Sequence, residues 1–305
     1  MSVERWDREL QVAGRDGTRL WVGTRGSGRP VVLCDGLGCD GFVWRSLVGD
    51  LSRDMMVVRW HYRSHGRSAP SATSRGLRIE EFARDLRRIM DRLGLKDVVL
   101  CGHSLGVQVI LECALQDAAA GRRRIAALVP ICGSPGRVLD TFKGTELGLH
   151  VLPRVRWWAA RVPGVVRWLW RRGIGSPAAV MVARAGEVHR ELMPVDALEL
   201  YLTRMSMMDP EAFLSTLASA ARHDATDRLC RIGVPSLVIA AERDTFTPLE
   251  RSVTMRQRLV GSEFFVLPDA THAGPLEWPD MVALRLRKFF RERLDGCPPG
   301  PLSVW

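Results

Sequence analysis

Long apolar runs, patterned cysteines and lysines are all scarce in this chain, and each scarcity removes a class of protein. No uninterrupted apolar run reaches about 18 residues, the length that carries a helix across a bilayer, so no membrane-spanning segment is expected. The opening MSVERWDREL mixes charged and polar residues where a secretory leader would carry an apolar stretch, so no signal peptide is expected. The seven cysteines (34, 39, 101, 113, 132, 230 and 297) are odd in number and scattered through apolar patterns. Neither a compact disulfide framework nor a zinc spacing emerges, and buried free thiols in a reducing cytoplasm are expected instead. Cys34 and Cys39 flank a glycine-rich loop, but nothing else in the sequence supports pairing them.

Lysine occurs only at 96, 143 and 288, so arginine supplies nearly all of a formal charge of +10. That charge is uneven. Residues 147–186 hold no Asp or Glu, yet contain Arg154, Arg156, Arg161, Arg167, Arg171, Arg172 and Arg184. The rest of the chain is close to balanced, which argues against a nucleic-acid partner.

What is present is a strand and helix alternation. The 305 residues suffice for two small domains or one large α/β domain with an insertion, and 46% hydrophobic content can fill a core. Residues 9–28 alternate polar and apolar about Asp16-Gly17, a hairpin signal. Apolar strand-like runs follow at 30–35, 55–61, 97–101, 125–132, 235–241 and 263–267. Helical patterns sit between and after them at 42–51, 79–93, 106–115, 249–259 and 279–294. Near-continuous apolar strands alternating with helices predict an α/β fold: a mostly parallel sheet with helices on both faces. The alternation lapses from 136 to 224, where the pattern is helical and rich in Trp, Met and Arg. The expected organisation is therefore a core of residues 1–135 and 225–296, a helical cap of residues 136–224, and a patternless tail of residues 297–305.

Directly after the strand DVVLC stands Gly102-His103-Ser104-Leu105-Gly106, and directly after that a helix. At a strand-to-helix junction this G-x-S-x-G pattern reads as a sharp turn that lifts a serine hydroxyl clear of the sheet. Only small residues two before and two after the serine avoid the neighbouring backbone. The N-terminus of the following helix favours negative charge developing there. Ser104 is the candidate nucleophile.

Four further motifs occupy strand ends in a definite order. They are Asp35-Gly36-Leu37-Gly38, Tyr62-Arg63-Ser64-His65-Gly66-Arg67-Ser68, Glu242-Arg243-Asp244-Thr245 and Asp269-Ala270-Thr271-His272. With the serine turn third among the five, the chain resembles the α/β-hydrolase superfamily, in particular its serine esterases, lipases and small-molecule hydrolases. The resemblance spans essentially the whole length outside the insertion.

A serine hydroxyl needs a base within hydrogen-bond reach, and seven histidines compete: 61, 65, 103, 150, 189, 223 and 272. The resemblance implies the chain order nucleophile, acid, base, with the base on the loop after the last strand, where only His272 lies. His103 would point away from its neighbour Ser104, His65 would brace a loop, and the three histidines of the insertion suit surface or structural roles. Asp244, at the end of the strand PSLVIAA, is the candidate acid that accepts the other ring N–H of the base. Glu242 is a rival on the same side of the strand but further back. The one-strand-earlier position used by some relatives reads ICGSPG and offers no carboxylate. The oxyanion donors would be the backbone N–H of Leu105 and, by resemblance, that of Leu37, leaving both side chains to line a pocket. The chain departs from the family where His-Gly becomes Asp35-Gly36 and where an Asp becomes His61, so an Asp35–His61 contact would compensate.

In the cap, LPRVRWWAARVPGVVRWLWRR sets Trp157, Trp158, Trp168 and Trp170 among arginines. The preferred reading packs a cap helix by its Trp side chains onto the sheet domain, with Arg solvated. The other lays a basic, aromatic stripe on an anionic membrane surface, a peripheral contact. Trp157, Trp158, Met207 and Met208 are the candidate substrate contacts, Met being suited to an adaptable apolar pocket.

The expected function is a cytoplasmic serine hydrolase that cleaves a carboxylic ester, lactone or thioester of an apolar small molecule. No metal or organic cofactor is implied. A Ser rather than an Asp nucleophile disfavours the dehalogenase and epoxide hydrolase branches. C–C bond hydrolases, cofactor-free perhydrolases and slow hydrolase-like receptors share the same three residues.

Overall fold

The computed structural model describes residues 5–140, 147–186 and 188–296. The N-terminal alternation becomes a hairpin of β1 (Arg8–Ala13) and β2 (Arg19–Arg25), with Leu10 opposite Val22. The apolar runs become β3 (Arg29–Cys34), β4 (Met55–Trp60), β5 (Val98–His103), β6 (Ile125–Ile131), β7 (Leu237–Ala241) and β8 (Glu263–Leu267). They form one eight-stranded sheet in the order β1-β2-β4-β3-β5-β6-β7-β8. Its pairings are parallel from β4 to β8, and only the β1–β2 edge runs antiparallel to its neighbours.

Helices α1 (Arg45–Leu51), α2 (Ile79–Arg92) and α3 (Leu105–Ala119) link the first parallel strands. Among the described residues, five more follow β6: α4 (Leu147–Arg161), α5 (Pro163–Ile174), α6 (Pro177–Gly186), α7 (Val195–Ser206) and α8 (Pro210–Arg222). Helix α9 (Leu249–Arg258) follows β7, and α10 (Gly274–Glu277) and α11 (Pro279–Arg293) follow β8. The two-residue strand period divides the core into two layers. Val31 and Leu33 face α1 and α11, while Val32 and Cys34 face α2 and α3. On α2 a spacing of three or four residues buries Phe82, Leu86 and Ile89, each worth roughly 1.5–3 kcal/mol on removal from water.

Element ends differ from the sequence reading in two informative places. Residues 42–44 form a tight 3₁₀ turn before α1 begins at Arg45. Helix α3 runs four residues past its expected end, through Ala118 and Ala119, the residue type with the least cost in a helix. Among the described residues, Cys34, Cys39, Cys101, Cys113 and Cys132 are free and buried and Cys230 is free and exposed; Cys297 and the expected tail lie outside them. No described helix is long and apolar enough to cross a membrane.

The five-helix segment leaves and rejoins the sheet layer at one point. Gly136 and Asp224 form an antiparallel bridge, flanked by hydrogen bonds from Arg137 N to His223 O (2.8 Å) and from Ala225 N to Pro135 O (3.1 Å). The junction is tied to α3 by Glu112, which is only 6% exposed and accepts hydrogen bonds from His223 Nε2 (3.2 Å) and Arg228 (3.0 Å). Burial pushes the Glu112 carboxyl up, but the hydrogen bonds from His223 and Gln116 and the nearby positive charges outweigh it and hold the pKa at about 2. Because the folded value lies below the unfolded value of about 4.3, this carboxylate stabilises the fold above that pH. The stabilisation is lost as pH falls toward about 2. Glu112→Gln is expected to lower stability near neutrality by on the order of 3 kcal/mol and to flatten the acid limb below pH ~4.3. Denaturant midpoints measured across that range test this, and parallel acid limbs for both proteins would contradict it.

Candidate active site

The sheet's C-terminal edge carries the site. Strand β5 ends at His103, and Ser104 turns the chain at φ 54° and ψ −116° before α3 begins at Leu105. A non-glycine residue at positive φ costs of order 1–3 kcal/mol and persists only where its surroundings impose it. Here the imposition is visible: Ser104 N donates to Ile131 O at 3.1 Å, and Val107 N donates to Ser104 O at 3.0 Å. The flanking glycines are sterically required. A Cβ on Gly102 would stand 2.4 Å from Gly106 O, and one on Gly106 would stand 2.2 Å from Cys34 O. The result is a half-buried serine at the positive end of a helix.

His272, on the loop after β8, and Asp244, on the loop after β7, meet this serine from across the chain. Ser104 Oγ donates to His272 Nε2 at 2.8 Å, and His272 Nδ1 donates to Asp244 Oδ2 at 2.9 Å. Asp244 is held on every side. Its Oδ1 accepts from Phe246 N (2.9 Å) and Thr247 N (2.8 Å), and its Oδ2 accepts from Thr247 Oγ1 (2.7 Å). Burial pushes the Asp244 carboxyl up, yet the charge and hydrogen bond of His272 and the Thr247 donors keep it below the usual carboxylate range. It is therefore ionised at neutral pH, able to orient an imidazole and to stabilise an imidazolium. The base loop is fastened by buried Glu277, which accepts from Thr271 N (2.7 Å) and Thr271 Oγ1 (2.6 Å).

The sequence reading missed four supports: Glu277, His103, Phe246 and Thr247. His103 Nε2 donates to the carbonyl of His272 at 2.9 Å. Burial first, then the neighbouring His272, depress its pKa to about 3, so it stays neutral as a fixed donor. Phe246 stacks on the His272 ring, with centroids 5.1 Å apart. Thr247 was visible in principle, since a carboxylate followed by Thr three residues on is a local capping pattern.

The loop after β3 lies directly against the serine, since a Cβ on Gly36 would come within 3.3 Å of Ser104 Cβ. Leu105 is the first residue of α3, so its N–H has no acceptor within the helix. The two leucines whose N–H groups were expected to face the site differ in their side chains: Leu105 is 5% exposed and belongs to the core, whereas Leu37 is half-buried and packs against the same layer.

Among the described residues, His272 is the histidine that hydrogen-bonds Ser104. His61 accepts from Arg67 N at Nδ1 (2.8 Å) and donates from Nε2 to Asp40 O (3.1 Å). Both ring nitrogens of His61 are thus engaged by main-chain groups, those of Arg67 and Asp40. Burial and the Arg59 charge keep His61 neutral. His65, its pKa lowered to about 4 by burial, donates to Arg63 O and packs edge-on against Tyr62 and Phe82. Buried Arg63 ties that loop to Asp85 and Asp16. His189 bonds Asp269 at 2.9 Å, beside the base loop, and His150 is exposed. Glu242 is exposed and accepts from Asp269 N, whereas the carboxylate bonded to His272 is that of Asp244.

Beside this rim, an open groove of about 1480 Å³ runs between the loops after β3 and β4 and helices α7 and α8. Met207 and Met208 line it with Gly38, Phe42 and Leu77, although Ser104 is not part of its wall. Trp157 and Trp158 are elsewhere, on the outer side of α4, 49% and 59% exposed. The preferred reading of the Trp-rich stretch is thereby corrected: only Trp170 packs inward, donating from Nε1 to Met205 O at 3.0 Å. An α-helix whose apolar residues outnumber its inward-facing positions must leave some of them facing water.

Comparison with known proteins agrees with this architecture. The chain is 22% identical over 273 residues to 3-oxoadipate enol-lactonase 1 of Acinetobacter baylyi, covering 89% of this chain and 92% of that protein. It is 26% identical over 288 residues to a non-heme haloperoxidase of Rhodococcus erythropolis, covering 86% and 92%. The crystal structure of the enol-lactonase from Burkholderia xenovorans LB400 superposes with a TM-score of 0.75 at 21% identity, covering 93% of this chain and 100% of that one. The family model described as the alpha/beta hydrolase fold matches residues 29–279, and with the serine turn, the strand order and the strand-end loops all in place, the chain belongs to the alpha/beta hydrolase fold family.

Proposed function

We propose that the protein is a serine hydrolase that opens a carboxylic ester, lactone or thioester of an apolar small molecule through an acyl-enzyme. The observation that carries this reading is the pair of hydrogen bonds Ser104 Oγ to His272 Nε2 (2.8 Å) and His272 Nδ1 to Asp244 Oδ2 (2.9 Å). In the first step His272 takes the hydroxyl proton as Ser104 Oγ bonds to the carbonyl carbon. The backbone N–H groups of Leu105 and Leu37 hold the oxyanion, and the alcohol leaves with the proton from His272. In the second step water, deprotonated by His272, attacks the acyl-serine; the acid departs and Ser104 regains its proton. Asp244 stays ionised throughout and stabilises the imidazolium formed in each step. Met207 and Met208 in the groove beside the Gly38 loop suit a flexible apolar substituent.

A fluorophosphonate probe is expected to label the wild-type protein stoichiometrically, and a p-nitrophenyl ester series should be hydrolysed at a rate that varies with acyl length. Absence of both labelling and hydrolysis would refute the reading. The haloperoxidase relative favours a second arm, in which hydrogen peroxide replaces water at the acyl-serine and yields a peracid. Peracid formation from an ester and peroxide, faster than hydrolysis under the same conditions, would identify that branch.

A further inference from the structure

We propose that the outer face of α4 and α5 docks on an anionic lipid bilayer. Ten of the fourteen exposed large apolar side chains among the described residues lie between 151 and 182. They are ordered by the helix period rather than scattered. On α4 and just beyond it, Val151, Val155, Trp158 and Val162 follow one another at spacings of four, three and four, while Leu152, Arg156 and Ala159 turn inward. On α5, Val165, Trp168 and Leu169 face out, at 54–56% exposure, while Val166, Trp170 and Ile174 face in. No residue of α5 is buried, an uncommon state for a helix that carries two tryptophans.

Charge selects the partner. The same stretch has no acidic residue, and among the described residues none of Arg154, Arg161, Arg171 and Arg172 meets a carboxylate. Arg161 instead lies over the Trp157 ring at 3.5 Å, and Arg172 over the Trp168 ring at 5.0 Å. Indole at the headgroup level with guanidinium beside it is the composition of an interfacial helix. A neutral protein partner would leave these cations without counter-charge, and a second copy of this face would bring like charges together. A sheet of lipid phosphates answers both the aromatic and the cationic side chains. The inner side of the same layer reaches the site: Trp170 of α5 bonds Met205 O on α7, and the Met205 side chain lies 3.3 Å from the position a Cβ on Gly38 would take. Docking on this face therefore brings a lipid surface to a helix packed against α7, which walls the groove beside the candidate active site.

Co-sedimentation of the full-length protein with phosphatidylcholine vesicles, with and without phosphatidylglycerol, tests the proposal. Binding is expected only to the phosphatidylglycerol vesicles, weakening as salt screens it. Substituting Arg161→Gln, Arg171→Gln and Arg172→Gln together is expected to weaken it about 100-fold. A variant with Trp157→Ser, Trp158→Ser and Trp168→Ser should also lose binding, with thermal melts confirming that both variants are folded. Ser104→Ala is expected to bind vesicles as the wild type does, so the result stands apart from the proposed chemistry. Equal binding to neutral vesicles, no binding to either, or full binding by the folded variants would overturn the proposal. So would light scattering that shows a dimer dissolved by the Trp substitutions, which would make this face a self-interface.

Discussion

Ser104→Ala is expected to lower kcat/KM on any ester substrate by about 10⁴-fold or more while the protein stays folded. The substitution removes one hydroxyl, the atom that would bond to the acyl carbon, and leaves the imidazole of His272 without its 2.8 Å partner. Alanine carries the same strain as serine at φ 54°, and the hydrogen bonds that impose the turn come from the main chain of Ile131, Ser104 and Val107. The melting temperature should therefore shift by no more than a few degrees, which corresponds to less than about 1 kcal/mol. What survives reflects the backbone donors and substrate binding, since groups that act as a unit lose their effect together. Fluorophosphonate labelling should vanish in the same variant. Labelling of the alanine protein at the wild-type rate would place the reactive atom on another residue.

The parts of this molecule that could be read from sequence are those whose cause is local. Ser104 was legible because an apolar strand, a turn flanked by Gly102 and Gly106 and a helix are adjacent in the chain, and the close approach that demands the glycines lies within that pentapeptide and the neighbouring β3 end. The sheet was legible because near-continuous apolar runs suit strands covered on both faces. His272 and Asp244 were found by the resemblance and by their places after the last two strands, not by any pattern of their own. The contact of His103 with the His272 carbonyl was invisible, since it joins residues 169 apart and depends on how two loops end. The Trp-rich stretch failed for a different reason. A helix period reveals which residues share a face, but Val151, Val155 and Trp158 form as good a stripe as Leu152, Arg156 and Ala159. Only tertiary packing decides which stripe turns inward, and here the more aromatic one turns out.

Asp244→Asn should cost nearly as much activity as loss of the serine, about 10⁴-fold in kcat, with little change in KM or fold. The site itself dictates why. Two main-chain donors, Phe246 N–H and Thr247 N–H, converge on Asp244 Oδ1 at 2.9 and 2.8 Å. An asparagine must put its carbonyl oxygen there, because its NH₂ group cannot accept. That choice turns the NH₂ toward the position now held by Oδ2, facing His272 Nδ1 and Thr247 Oγ1. A donor aimed at Nδ1 forces that nitrogen to be the acceptor and moves the ring proton to Nε2. The imidazole then presents N–H, not a lone pair, to Ser104 Oγ, and it cannot take the hydroxyl proton. The loss in kcat/KM equates to about 5 kcal/mol of transition-state stabilisation, far more than the removal of one distant charge would explain. Thr247→Val separates geometry from charge: it removes the Oγ1 donor at 2.7 Å while both main-chain donors remain, and a loss of tenfold or less is expected. An Asp244→Asn enzyme within tenfold of wild type would show that the proton of His272 is governed from elsewhere, and would remove Asp244 from the mechanism.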